Sequence, residues 1–117
     1  MPDPPQGAAL ASVAVRAAAS WFLDQRTLPR HGTVKAFEAD FRATLAELIP
    51  RIEELAAGLP GDEPPAKAAL AALAEARSRL RAVEAAGLRG EATRVRQIAA
   101  SVLAACDHHD TLTGLRT

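Results

Sequence analysis

The sequence predicts an all-α fold, an antiparallel up-down-up-down four-helix bundle. Three observations carry that expectation. Alanine and leucine, both strong helix formers, contribute 28 and 14 of the 117 residues. Strand-favouring residues are few, and no strict apolar–polar alternation persists. Stretches rich in Gly and Pro cut the chain into four pieces of helical length joined by short connections, which favour antiparallel neighbours. A three-helix core with a detached first helix is the main competing arrangement. The length fits one domain spanning residues 1–117, and 49% apolar residues suffice for a modest core.

The first helix should run from about Gly7 to Asp24, leaving residues 1–6 as a flexible N-terminus. Pro4 and Pro5 precede it, and Leu28-Pro29-Arg30-His31-Gly32 follows it. Arg16 is the one charge between Ala8 and Leu23, although a surface helix ordinarily carries a polar face. Trp21, Phe22 and Leu23 are consecutive, so at about 100° per residue they cannot all point at one core. One reading is that alanine is simply tolerated facing solvent. The sharper one is that this helix buries a second face against a partner or a second subunit, with Leu10, Val13, Trp21 and Phe22 as contacts.

Thr33 resembles an N-cap for the second helix. Val34, Phe37, Phe41, Leu45, Leu48, Ile52 and Leu55 recur every three or four residues, the clearest amphipathic stripe in the chain. Pro50 lies inside it and should kink the helix moderately. The run Gly58 to Pro65 is a stop and a turn. A third helix should start near Pro65, carry Leu70, Leu73, Ala76, Leu80 and Val83 inward, and end at Gly87. The fourth should start near Gly90, with Val95, Ile98, Val102, Ala105 and Cys106 inward. It should end near Asp110, leaving 111–117 as a flexible C-terminus.

Composition excludes several function classes. The formal net charge is zero, which disfavours a nucleic-acid module needing a basic excess. Aromatics are 3% of the chain and Tyr is absent, so no base-stacking platform is built. The single Cys106 cannot close an internal disulfide and fits a reducing compartment. No signal peptide precedes the first helix, and its apolar stretch is short for a bilayer. The expectation is a cytoplasmic protein with no membrane and no nucleic-acid partner. Twelve Arg against two Lys suggest a GC-rich genome.

Polar chemistry concentrates in Cys106-Asp107-His108-His109-Asp110. On the fourth helix Cys106 and His109 fall on the apolar side, Asp107 faces solvent, and His108 lies at a flank. Structural zinc needs four ligands, usually rich in Cys, so no metal is expected from one Cys and no Cys-x-x-Cys or His-Glu-x-x-His pattern. The plain reading is a buried Cys acting as a small hydrophobe beside a hydrogen-bonded His. Bundle order puts His108 and His109 near Asp62 and Glu63, and His31 at the opposite end. Arg77 falls within the apolar arc of the third helix, so either its head snorkels to water, it pairs with Glu47 or Glu91, or it meets a ligand anion. Phosphate loops, nucleophile elbows and paired catalytic carboxylates are not evident.

Four runs resemble a known family: Leu48-Ile49-Pro50-Arg51-Ile52-Glu53, Ala56-Ala57-Gly58-Leu59-Pro60, Ala74-Glu75-Ala76-Arg77-Ser78-Arg79-Leu80, and Ser101-Val102-Leu103-Ala104-Ala105-Cys106-Asp107-His108. They are similar to the actinobacterial family DUF6415, described as natural-product biosynthesis proteins. The resemblance covers roughly residues 34 to 114 and is most specific at Cys106-Asp107-His108 followed by Leu112-Thr113-Gly114. Ala74 and His109 stand where glycine and tyrosine are expected, so no ligand is carried over to His109. The resemblance implies an actinomycete origin and a biosynthetic-cluster context, without a mechanism.

These readings lead to a non-catalytic helical accessory protein, without cofactor, that works by protein–protein contact and self-association as a homodimer or other homo-oligomer. The alternative is a small-ligand binder or cofactor-free enzyme whose pocket holds Arg77, Cys106, His108 and His109.

Overall fold

The computed structural model describes the backbone of residues 4–82 and 87–116, and side chains within 13–82 and 87–115. Four helices follow in order: α1 (Pro4–Leu23), α2 (His31–Ala57), α3 (Pro64–Arg81) and α4 (Gly87–Arg116). The described residues contain no strand. The protein is the four-helix bundle that the alanine-rich, strand-poor sequence predicts, and all four helices remain attached to it.

The bundle is not square. α4 packs against each of the other three helices, most extensively against α2, whereas the α1 and α2 backbones come close at few positions and, among the described residues, α1 does not meet α3. The molecule measures 45 × 34 × 20 Å. Its thin dimension is about two helix diameters. Its exposed area, 7167 Å², exceeds the ~6,100 Å² of a rounder protein of this mass. Ala92, Ala99 and Ala105 of α4 are buried, and small side chains of this kind let helix axes approach closely.

The core follows the spacing of the sequence with instructive exceptions. Val34, Phe41, Leu45 and Ile52 of α2 are buried, as are Val95, Ile98, Val102, Ala105 and Cys106 of α4. In α3 the buried positions are Ala66, Ala69, Leu73 and Ala76, and Leu70, expected inward, is 48% exposed. The 66–69–73–76 series continues to the half-buried Leu80 at the same three-four spacing, so register is set by the alanines and leaves Leu70 outside. Val83 and the proposed continuation of α3 fall within 83–86, outside the described residues.

Helix boundaries also differ. α2 begins at His31, two residues before Thr33, and Arg30 occupies the cap position without a side-chain hydrogen bond. Pro50 interrupts no more than its own hydrogen bond: α2 runs through it to Ala57, and the proline faces solvent, where water can reach the freed carbonyl of Ala46. α1 starts at Pro4, inside the segment expected to be flexible, because proline is tolerated in a first turn that needs no amide donor. α4 starts at Gly87, whose φ of +81° only glycine adopts readily. α4 continues six residues past Asp110, its expected end. Leu112 lies seven residues beyond Ala105 on the same face and is buried, and Gly114 costs only about 1 kcal/mol within a helix.

Candidate functional site

The site is a consequence of how α1 is held. Arg16, its one charge within the described side chains, points at α4. Its Nη1 donates to Asp107 Oδ1 and its Nη2 to Asp110 Oδ2, both at 2.7 Å. These hydrogen bonds hold the guanidinium pKa above its ordinary value, against a smaller opposing effect of burial. At the other end Arg96 of α4 donates to the Gln25 carbonyl at 2.8 Å. The partners are ordered antiparallel: Arg16 meets residues 107 and 110, and Gln25 meets residue 96. Two ties therefore fasten α1 to α4, while the α1 and α2 backbones approach closely at few positions.

Between α1 and α2 lies an open groove of about 350 Å³. α1 supplies Ala14, Val15 and Ala18; α2 supplies Asp40, Phe41, Ala43 and Thr44. Among these Asp40 is the one charged residue, and it enters no ion pair among the described residues. An aromatic cluster closes one end. Trp21 stacks on Phe37 with centroids 5.1 Å apart and planes 12° from parallel, and Phe22 packs against Phe37 at 5.3 Å and edge-on to Phe41 at 6.0 Å. Trp21 remains 47% exposed, and Val13, on the outward side of α1, is 63% exposed.

The expected contact residues of α1 thus divide. Val13 and Trp21 are available on the surface. Phe22 is completely buried and belongs to the core, since it points about 100° away from Trp21 and into the α2 phenylalanines. The side chain of Leu10 lies outside those described.

The expected polar pocket is not assembled. Cys106 is buried, and desolvation pushes its thiol pKa up, with Asp110 and Asp107 adding to the shift and Arg16 opposing it. A thiol in that state is protonated near neutral pH and is a poor nucleophile. His108 and His109 are half-buried on the same turn, and the carboxylate beside His109 is Asp110, 3.9 Å away. Neither histidine pairs with Asp62 or Glu63 among the described residues. Arg77 faces α2, where its Nη2 lies 2.8 Å from Glu53 Oε2, with both side chains partly exposed. Its partner is therefore Glu53, not Glu47 or Glu91, and it is separated from Cys106, which faces Arg16 of α1. His31 lies at the far end of the bundle, 3.3 Å from Glu91. Residues 91 and 108 of α4 are about 25 Å apart along the helix axis.

That far end holds a charged cluster absent from the sequence expectations. Glu38 is 8% exposed and Arg94 5%. Arg94 Nη2 lies 2.9 Å from Glu38 Oε2, and Arg42 Nε donates to the same oxygen at 3.0 Å. Arg42 Nη1 also donates to the Leu80 carbonyl at 3.0 Å, joining α3 to the network. Lys35 bridges Glu38 and Glu91 at 3.8 and 3.4 Å. Burial alone would push the Glu38 carboxyl up, but the hydrogen bond from Arg42 and the charge of Arg94 outweigh it and hold the carboxyl below its ordinary range. The network joins α2, α3 and α4 and is a structural clamp. A sequence signal for it exists: Glu38 interrupts the Val34–Phe41–Leu45 series at an inward position, and Arg94 stands four residues before Ile98.

Among the described residues, no group of three or more His, Cys, Asp or Glu is placed to hold a metal ion. No helix among them is long and apolar enough to cross a membrane. No curated protein and no solved structure matches the chain. A family model described as "Family of unknown function (DUF6415)" matches residues 13–114, which takes in the groove, the charged clamp and the Arg16 ties, and on that match the chain belongs to the DUF6415 family.

Proposed function

We propose that the protein works by protein–protein contact rather than catalysis, with the groove between α1 and α2 as its docking surface. The observation that supports this is the groove itself: a mostly apolar channel lined by alanines of both helices, with the half-exposed Trp21–Phe37 stack at one end. Alanine walls suit a helix, since small side chains allow close approach and an amphipathic partner can lay its apolar face into such a groove. Self-association as a homodimer or larger homo-oligomer is part of the reading. So is a cytoplasmic accessory role in actinobacterial natural-product biosynthesis. It draws on the arginine-rich, lysine-poor composition and on the family resemblance.

A photo-crosslinking residue at position 14, which lines the groove, tests the reading in the native host, with the exposed Thr93 of α4 as control. The expected result is a discrete adduct from position 14, absent from position 93 and abolished by Ala43→Arg, which fills the groove. Equal labelling from the two positions, or adducts indifferent to Ala43→Arg, refutes it.

A further inference from the structure

Leu70 is the only large apolar side chain of α3 that is well exposed among the described residues. It sits on an outward arc with Lys67, Ala71, Ala74, Ser78 and Arg81, all exposed. At 100° per residue these six span about 100° of the helix. The arc is therefore a narrow cationic stripe with a leucine knob and a small-residue spine. Neither Lys67 nor Arg81 joins an ion pair among the described residues.

The groove on the other flank is lined by one charged residue, the carboxylate of Asp40, and a further carboxylate stands near each of its ends. Trp21 stacks on Phe37, and α1 and α2 run antiparallel, so Asp24 lies level with Val34 at one end. Asp40 lines the middle, and Glu47 stands one turn past Thr44 at the other end. None of these three carboxylates joins an ion pair among the described residues. The level of Asp24 and that of Glu47 are 13 residues apart along α2, about 20 Å. Lys67 and Arg81 are 14 residues apart along α3, about 21 Å. With Lys67 beside Glu47, Arg81 comes beside Asp24, and Leu70 falls at the level of Ala14, Ala43 and Thr44. Ala74 then passes Asp40 with no bulk to obstruct it.

We infer that the groove between α1 and α2 receives the outward face of α3 from a second copy of the same chain. The inference rests on the docking role proposed above and names its occupant. Because α1 and α3 lie on different flanks and do not touch among the described residues, the two faces are different patches. The contact is head-to-tail, and repetition builds a ring or an open chain rather than a two-fold dimer. One helix in one groove is a small interface, so assembly depends on protein concentration.

Head-to-tail assembly has a signature that a symmetric dimer lacks. Sedimentation velocity should show the wild-type mass rising with concentration. Leu70→Glu removes the knob and Ala43→Arg blocks the groove; both substitutions are at exposed positions, and circular dichroism checks that each variant stays folded. Each alone should need at least about tenfold more protein to associate, a loss of roughly 1.4 kcal/mol. Mixed in equal amounts, the two should form a heterodimer that stops at two chains, because one intact face remains on each. Lys67→Glu combined with Glu47→Lys in trans should restore association that either abolishes alone. A wild-type chain that stays monomeric throughout, or a mixture that stays monomeric, overturns the inference. Association that Ala43→Arg abolishes and Leu70→Glu leaves intact also overturns it while leaving the groove as the docking surface. Association indifferent to both variants overturns the groove as well.

Discussion

Replacing Glu38 with alanine should be among the most damaging single changes in the bundle, and its cost can be worked from the surroundings. Glu38 is 8% exposed, and the Arg94 that faces it 2.9 Å away is 5% exposed. Taking the carboxylate away removes the one partner that Lys35, Arg42 and Arg94 share. Breaking a buried pair in this way costs about 3–5 kcal/mol, because the surviving charge stays buried. For a domain of this size that is a fall in Tm of roughly 10–20 °C. The double change Glu38→Leu with Arg94→Leu removes both charges together and should lie within about 1–2 kcal/mol of wild type, or exceed it. Urea denaturation of the singles and the double gives the coupling energy directly. A single-variant cost below about 1 kcal/mol would mean that the cluster is solvated, and would refute its role as a clamp. The same carboxyl sets a pH dependence. Its folded pKa lies below the ordinary value, so its stabilisation is fully present above the unfolded Glu range and is lost as pH falls through the lower folded value. Glu38→Gln should flatten the acid limb of stability against pH; an unchanged limb contradicts the assignment.

Other consequences are as direct. Cys106 should resist thiol-reactive reagents in native buffer and react in denaturing urea, since it is buried and its pKa is raised; rapid native labelling would contradict this. Its raised pKa also means that its contribution is present below the ordinary thiol pKa and fades as pH rises through the folded value, which Cys106→Ala should remove. Arg16→Ala should cost about 1 kcal/mol or less overall, because Asp107 and Asp110 are largely exposed. It should nevertheless speed hydrogen exchange selectively in α1, an effect that high salt reproduces in the wild type. Pro50→Ala should raise stability by about 1–3 kcal/mol by restoring a helical amide inside α2, measured as a higher urea midpoint; a lower midpoint would show that the proline shapes packing.

The four helices were legible because periodic leucine, valine and phenylalanine need only one dimension to be read. What required coordinates was register among alanines. Alanine is equally content inside or out, so the α3 sequence pointed to Leu70 as a core residue when Ala66 and Ala69 set the face. Flattening was not legible either: no residue pattern announces that α4 will sit against three neighbours. The charged clamp was partly legible, since Glu38 breaks an apolar series, but its partners come from helices 38 and 56 residues away in sequence. The cluster at Cys106 drew attention because its residue types are chemically vivid. Direction decided otherwise: Arg77 turns to Glu53 and Cys106 to α1, and the groove, lined mostly by alanine, carries no such label.

The central place of α4 has a consequence for biogenesis. Ribosomes deliver α1, α2 and α3 before it, yet α1 and α3 do not meet among the described residues and the α1 and α2 backbones approach closely at few positions. The helix that each of the other three contacts is therefore the last to be made. A stall anywhere before residue 87 would leave three helices without their common support, a natural client for chaperones that bind exposed apolar chain.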